Sequence, residues 1–102
     1  MSMLTLVLCS VMLCLPGLVA AETASSRGAA LASTCVTCHG PEGRSQGAIP
    51  SLNTLSSADI ITALQAFRAE TRPGTVMHRL AKGLDEADVA AVATYFATLP
   101  KR

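Results

Sequence analysis

Cys35-Val36-Thr37-Cys38-His39 is the stretch that decides how this chain folds. On a helix, residues i and i+3 share a face, so the two thiols lie one turn apart on the same side. The next residue is turned by about 100° and carries its imidazole across that face. Two sulfurs and a nitrogen so placed suit a flat group bonded along one edge and ligated at its centre. A C-x-x-C-H run is the attachment signature of c-type haem. Cys35 and Cys38 would bond its two vinyl groups and His39 its iron, making one covalent haem part of the fold. Three other readings compete for the same residues. A disulfide between Cys35 and Cys38 leaves His39 without a use. A thioredoxin-like redox pair needs a βαβ context, and no strand pattern precedes Cys35. A zinc site would have to draw on Cys35, Cys38, His39 and His78, with no second C-x-x-C to complete it.

Upstream of the motif, Met1 to Ala21 has no charged side chain. Leu4 to Leu15 is an apolar run broken by Thr5 and Ser10, followed by Pro16-Gly17 and the small residues Val19-Ala20-Ala21. That is the pattern of a secretory signal peptide cleaved near Ala21. The competing reading is an uncleaved membrane anchor, which the short run and Pro16-Gly17 disfavour. The division expected is therefore a signal peptide over 1–21 and one domain over 22–102, exported to the periplasm. Removal of 1–21 leaves 81 residues with two cysteines, two histidines and a single methionine, Met77. At about 80 residues a domain buries too little surface to be secure alone, and a cofactor can supply the deficit. The whole chain is 50% hydrophobic, 15% charged and 3% aromatic, with a net charge of +1. It is too apolar for disorder and lacks the basic field that nucleic-acid binding needs.

Downstream, the pattern is helical throughout. A first helix is expected from about Ser26 to Cys38, capped by Ser25 or Ser26, with Leu31 and Ala32 facing inward. Gly40 to Leu55, with three glycines and two prolines, reads as a loop long enough to wrap the proximal side of a haem. Leu55-Ser56-x-x-Asp59-Ile60 and Leu84-Asp85-x-x-Asp88-Val89 each join an N-cap to an acid at N3, with a hydrophobic staple. The first leads into Ile60, Leu64 and Phe67, the second into Val89, Val92, Ala93, Phe96 and Leu99, both at helical spacing. Between them Val76 to Lys82 suits a short helix, with Gly83 as the residue after its end. The fold expected is all-α: three to four short helices wrapped around one haem. Phe67, Tyr95 and Phe96 read as packing side chains, with an aromatic route for electrons as the sharper alternative.

Iron held by His39 has a second axial position. Met77 follows Arg72-Pro73-Gly74-Thr75, a loop that can swing the backbone toward the haem. A thioether there favours the reduced iron and raises its potential. His78 stands beside it as a competing ligand, although two adjacent side chains point in different directions. Met77 could instead be a core gap-filler. Arg68, Arg72, Arg79 and Lys82, with Glu70 the one acid among them, form either a solvated basic face or a docking rim for a redox partner.

With CVTCHGPEG at the attachment run and a Met-bearing loop before the last helix, nearly all of Glu22 to Arg102 resembles class I cytochromes c. More narrowly, Ala48-Ile49-Pro50-Ser51-Leu52, Phe67-Arg68 and Thr75 to Gly83 resemble the cytochrome subunits of flavocytochrome c sulfide dehydrogenases. The resemblance implies that the Pro50 carbonyl accepts the His39 ring N–H, and that the first and last helices cross near Leu31 and Tyr95/Phe96. It implies single-electron transfer, with electrons taken from a separate FAD-binding flavoprotein subunit on which sulfide is oxidised. Leu84-Asp85 stand where such subunits usually carry Tyr-Ser, and the single C-x-x-C-H marks a one-haem form. The alternative role is a free-standing carrier of the cytochrome c-553 kind, between a dehydrogenase and a terminal oxidase. No acid–base or nucleophile set accompanies the ligands, so catalysis by the chain alone is not expected.

Overall fold

The computed structural model describes residues 23–101. The expected signal peptide lies outside the described residues. Four α-helices follow in order: α1 Ala24–His39, α2 Ser57–Arg68, α3 Val76–Lys82 and α4 Glu86–Thr98, with a 3-10 turn at Pro41–Gly43. No strand occurs among the described residues. The fold is all-α.

α1 begins two residues before the expected start. Its N-cap is Thr23, whose Oγ1 accepts from the Ser26 N–H at 3.1 Å. Ser26, an expected cap, is instead inside the first turn, its hydroxyl donating to the Thr23 carbonyl. The two repeated start signals are both realised as reciprocal capping boxes, Ser56 with Asp59 and Asp85 with Asp88. α3 ends at Gly83 with φ −80, a right-handed close that makes no use of glycine's freedom. A left-handed helix close is found instead at α2: Glu70 has φ 57 just beyond it. There the Thr71 and Glu70 N–H groups donate back to the Ala66 and Phe67 carbonyls, the paired bonds of a Schellman close.

α1 packs on α4, and α2 packs on both α3 and α4. Each helix sends side chains into one core: Ala32 from α1, Ile60 and Leu64 from α2, Ala81 from α3, and Val89, Val92, Ala93 and Phe96 from α4. These are the apolar stripes read from the spacing, with Leu31, Phe67, Tyr95 and Leu99 half-buried at the margin. With so few bulky side chains, backbone proximity does much of the packing. α1 and α4 meet at Gly28, where a Cβ would stand 2.5 Å from the Ala91 carbonyl oxygen and 3.3 Å from Tyr95 Cβ. The crossing thus reaches Tyr95 but is set by Gly28, one turn before Leu31. Arg27 Nε joins the same two helices by donating to Asp88 Oδ1 at 2.6 Å.

Candidate functional site: the end of α1, the loop after it, and α3

Cys35, Cys38 and His39 occupy the last turn of α1, which Gly40 ends at φ 89. Both thiols are free, Cys35 half-buried and Cys38 exposed. Burial pushes the Cys35 thiol above its ordinary pKa, against smaller opposing hydrogen bonds. No strand flanks the pair among the described residues, so the thioredoxin-like alternative lacks its βαβ context. Nor do three or more His, Cys, Asp or Glu side chains come together as a metal cage among the described residues, which leaves the zinc alternative without its ligands.

The loop from Gly40 to Leu55 is closed at its neck. The Gly43 carbonyl accepts from the Leu52 N–H at 2.7 Å and the Asn53 N–H at 3.3 Å, and the Ser45 N–H donates to Ser51 Oγ at 2.9 Å. Gly43 is buried, with φ 72 and the Phe96 ring where a Cβ would be. These ties place the Pro50 carbonyl oxygen 2.5 Å from His39 Nδ1. A carbonyl can only accept, so Nδ1 carries the proton and Nε2 is the nitrogen left with a free lone pair.

On the other side, Met77 is half-buried against the core. His78 turns elsewhere: its ring is 6.0 Å from that of Phe67, and Nε2 lies 2.6 Å from the Arg72 carbonyl oxygen. By the same reasoning Nε2 is the donor, so that nitrogen is committed within the protein. The basic segment is also partly spent internally. Lys82 pairs with Glu70 at 3.2 Å, Arg68 pairs with Glu86, and the Arg72 guanidinium lies 4.9 Å from the centre of the Phe67 ring.

Residues 25–100 match the family described as Cytochrome c. The chain belongs to the cytochrome c family. Over 77 residues it is 42% identical to the cytochrome subunit of sulfide dehydrogenase of Chlorobaculum tepidum, spanning 76% of this chain and 70% of that one. It is 35% identical over 72 residues to cytochrome c-553 of Helicobacter pylori, spanning 69% of this chain and 75% of the relative. It is also 38% identical over 72 residues to the thiosulfate dehydrogenase electron acceptor of Stutzerimonas stutzeri, spanning 67% of this chain but 33% of that one.

As a class I c-type cytochrome the chain carries covalently bound haem c and transfers electrons through it. Its own residues fit that group. Two free thiols one helical turn apart adjoin an imidazole whose Nδ1 is held by a carbonyl, leaving Nε2 as the ligating nitrogen of the neutral ring. Ile49, beside Pro50, and Val76 and Leu80, on the helix of Met77, are large apolar side chains left exposed, as walls for a flat apolar macrocycle would be. Asn53 Nδ2, fully buried, lacks an acceptor among the described residues. Such an orphaned donor costs about 1–3 kcal/mol, which a carboxylate-bearing group could relieve.

Sequence reasoning passed over three residues here. It singled out neither Gly28 nor Asn53, and Arg68 reads as one charge of a basic segment. A glycine inside an otherwise good helix is a signal of close approach that could have been used. Nothing in the sequence marks Asn53, and nothing there assigns Arg68 its contacts.

Proposed function

We propose that this cytochrome is the haem subunit of a sulfide dehydrogenase, receiving electrons from an FAD-containing chain on which sulfide is oxidised. The 42% identity to the Chlorobaculum tepidum subunit carries this reading. Haem c supplies the one-electron chemistry, its iron passing between ferrous and ferric. Cys35 and Cys38 would hold the macrocycle, and His39 Nε2 and Met77 Sδ would ligate its iron. The Pro50 carbonyl fixes the His39 tautomer and increases the ring's electron donation to iron. His78, with Nε2 bonded to the Arg72 carbonyl and its ring beside that of Phe67, is read as a packing residue next to Met77 rather than a ligand. The setting proposed is the periplasm, with residues 1–21 removed as a signal peptide. Among the described residues no helix is long and apolar enough to cross a membrane. The second reading, a free carrier, draws on the cytochrome c-553 relative, of which the match spans 75%.

One experiment separates the two. The purified holoprotein is mixed with its cognate flavoprotein and sulfide, and haem reduction is followed as salt is raised. A subunit coelutes with the flavoprotein at moderate salt and is reduced by sulfide within the complex. A carrier is reduced only transiently, with a strongly salt-dependent rate. Arg72 and Arg79 are the charges to reverse, because Arg68 and Lys82 are paired with the acids Glu86 and Glu70, whereas Arg72 lies against an aromatic ring. If the sulfide-reduced flavoprotein neither binds nor reduces this haem, the subunit assignment fails.

A further inference from the structure

α3 is seven residues long, and its N-cap Thr75 makes no side-chain capping bond. A helix that short has no stability of its own and must be held by its neighbours. Besides the exposed Lys82–Glu70 pair, its C-terminal end is held by the Arg68 side chain. From the last residue of α2, the Arg68 guanidinium donates through Nε to the Ala81 carbonyl at 3.4 Å and through Nη2 to the Leu84 carbonyl. Through Nη1 it pairs with Glu86 in the first turn of α4. A single rigid fork therefore joins α2, the end of α3, the linker after it and the start of α4. Ala81, whose carbonyl it grips, is completely buried and lies one turn from Met77 on the same face of α3. Where Ala81 is fixed, the thioether is fixed.

We propose that Arg68 is a positioning residue for Met77, holding α3 so that the sulfur stays at the iron. This rests on Met77 being the axial ligand. The fork resists the excursion in which α3 swings away and opens that coordination position. Lysine could keep the charge and one contact but could not span both carbonyls and Glu86 together.

Imidazole titration of the ferric holoprotein reads the excursion directly, because exogenous imidazole binds only when the sulfur has left. Arg68→Met should bind imidazole about tenfold more tightly than the parent, as loss of a charged hydrogen bond that restrained the helix would give. It should also weaken the sulfur-to-iron absorption band. Arg68→Lys should fall between the two. In a Met77→Ala background, Arg68→Met should leave imidazole affinity unchanged, since no sulfur remains to displace. If Arg68→Met or Arg68→Lys lowers the melting temperature while imidazole affinity and the sulfur band stay at parental values, the residue is merely structural and the proposal fails. The parent and Met77→Ala alone test the premise separately: if the sulfur band survives in Met77→Ala, the ligand reading itself is wrong, whatever Arg68 does.

Discussion

Replacing Gly28 by alanine sets two well-known effects against each other. Inside an exposed helix the change would stabilise by about 1 kcal/mol, because alanine is the better helix former. At this position the added Cβ would stand 2.5 Å from the Ala91 carbonyl oxygen and 3.1 Å from its carbon. Ordinary contact begins at 3.4 Å, so α1 and α4 must separate by roughly 0.9 Å. The obstacle is backbone in the middle of α4, which cannot rotate aside as a side-chain tip would. Overpacking of this kind costs about 1–3 kcal/mol, and a fixed carbonyl belongs toward the upper end. The net expectation is a loss of about 1–2 kcal/mol, after the helix-propensity gain is deducted. For a domain this small that lowers the melting temperature by about 4–8 °C per kcal/mol. The assay is thermal and urea unfolding of the ferric holoprotein, followed by far-ultraviolet circular dichroism. Gly47→Ala is the control, because a Cβ there meets nothing within 4 Å and should be neutral or slightly stabilising. If Gly28→Ala melts at or above the parental temperature, close backbone packing is not what joins α1 to α4.

Two other substitutions give opposite signs for stated reasons. The hydrogen bond from Arg27 holds the Asp88 carboxyl below its ordinary pKa of 3.8, against the opposing effect of burial. That contribution to stability is present above pH 3.8 and is lost as the pH falls through the folded-state value. Arg27→Met should thus lower stability at neutral pH and make its decline below pH 3.8 shallower; superimposable acid limbs in urea titrations would count against the pair. Glu70→Gly should leave stability unchanged or raise it by up to about 1 kcal/mol, since it relieves a left-handed residue and removes only exposed ion pairs worth about 0–1 kcal/mol. A melting temperature more than a few degrees below the parent would mean that the Glu70 links to Lys82 and His78 are stronger than their exposure suggests.

Much of the fold is legible because its signals are local. Ser56 with Asp59 and Asp85 with Asp88 each specify a helix start within four residues, and the stripes from Ile60 and Val89 specify which face turns inward. The start of α1 is less legible, because Ser25 and Ser26 both have the residue type of a cap, yet it is Thr23 whose Oγ1 accepts the Ser26 N–H. What could not be read depends on pairings distant in sequence. Gly28 acquires its purpose from Ala91, and Arg68 from Ala81, Leu84 and Glu86. A composition or periodicity argument sees a helix-weakening glycine and a surface charge. The attachment run itself is the opposite case, since five consecutive residues carry its whole chemistry.

The acceptor that faces His39 is a main-chain oxygen, that of Pro50. Every residue type has that atom, so no single codon change can delete it, and alanine scanning would overlook the contact altogether. The electronic character of the imidazole is therefore written into the path of a loop, through the ties at Gly43 and Ser51, rather than into a side chain. Anyone wishing to retune this redox centre from the histidine side would do so by lengthening, shortening or cutting the neck of that loop. Natural variants have the same restricted choice, which makes insertions and deletions between residues 43 and 52, more than point changes at 50, the informative differences among relatives.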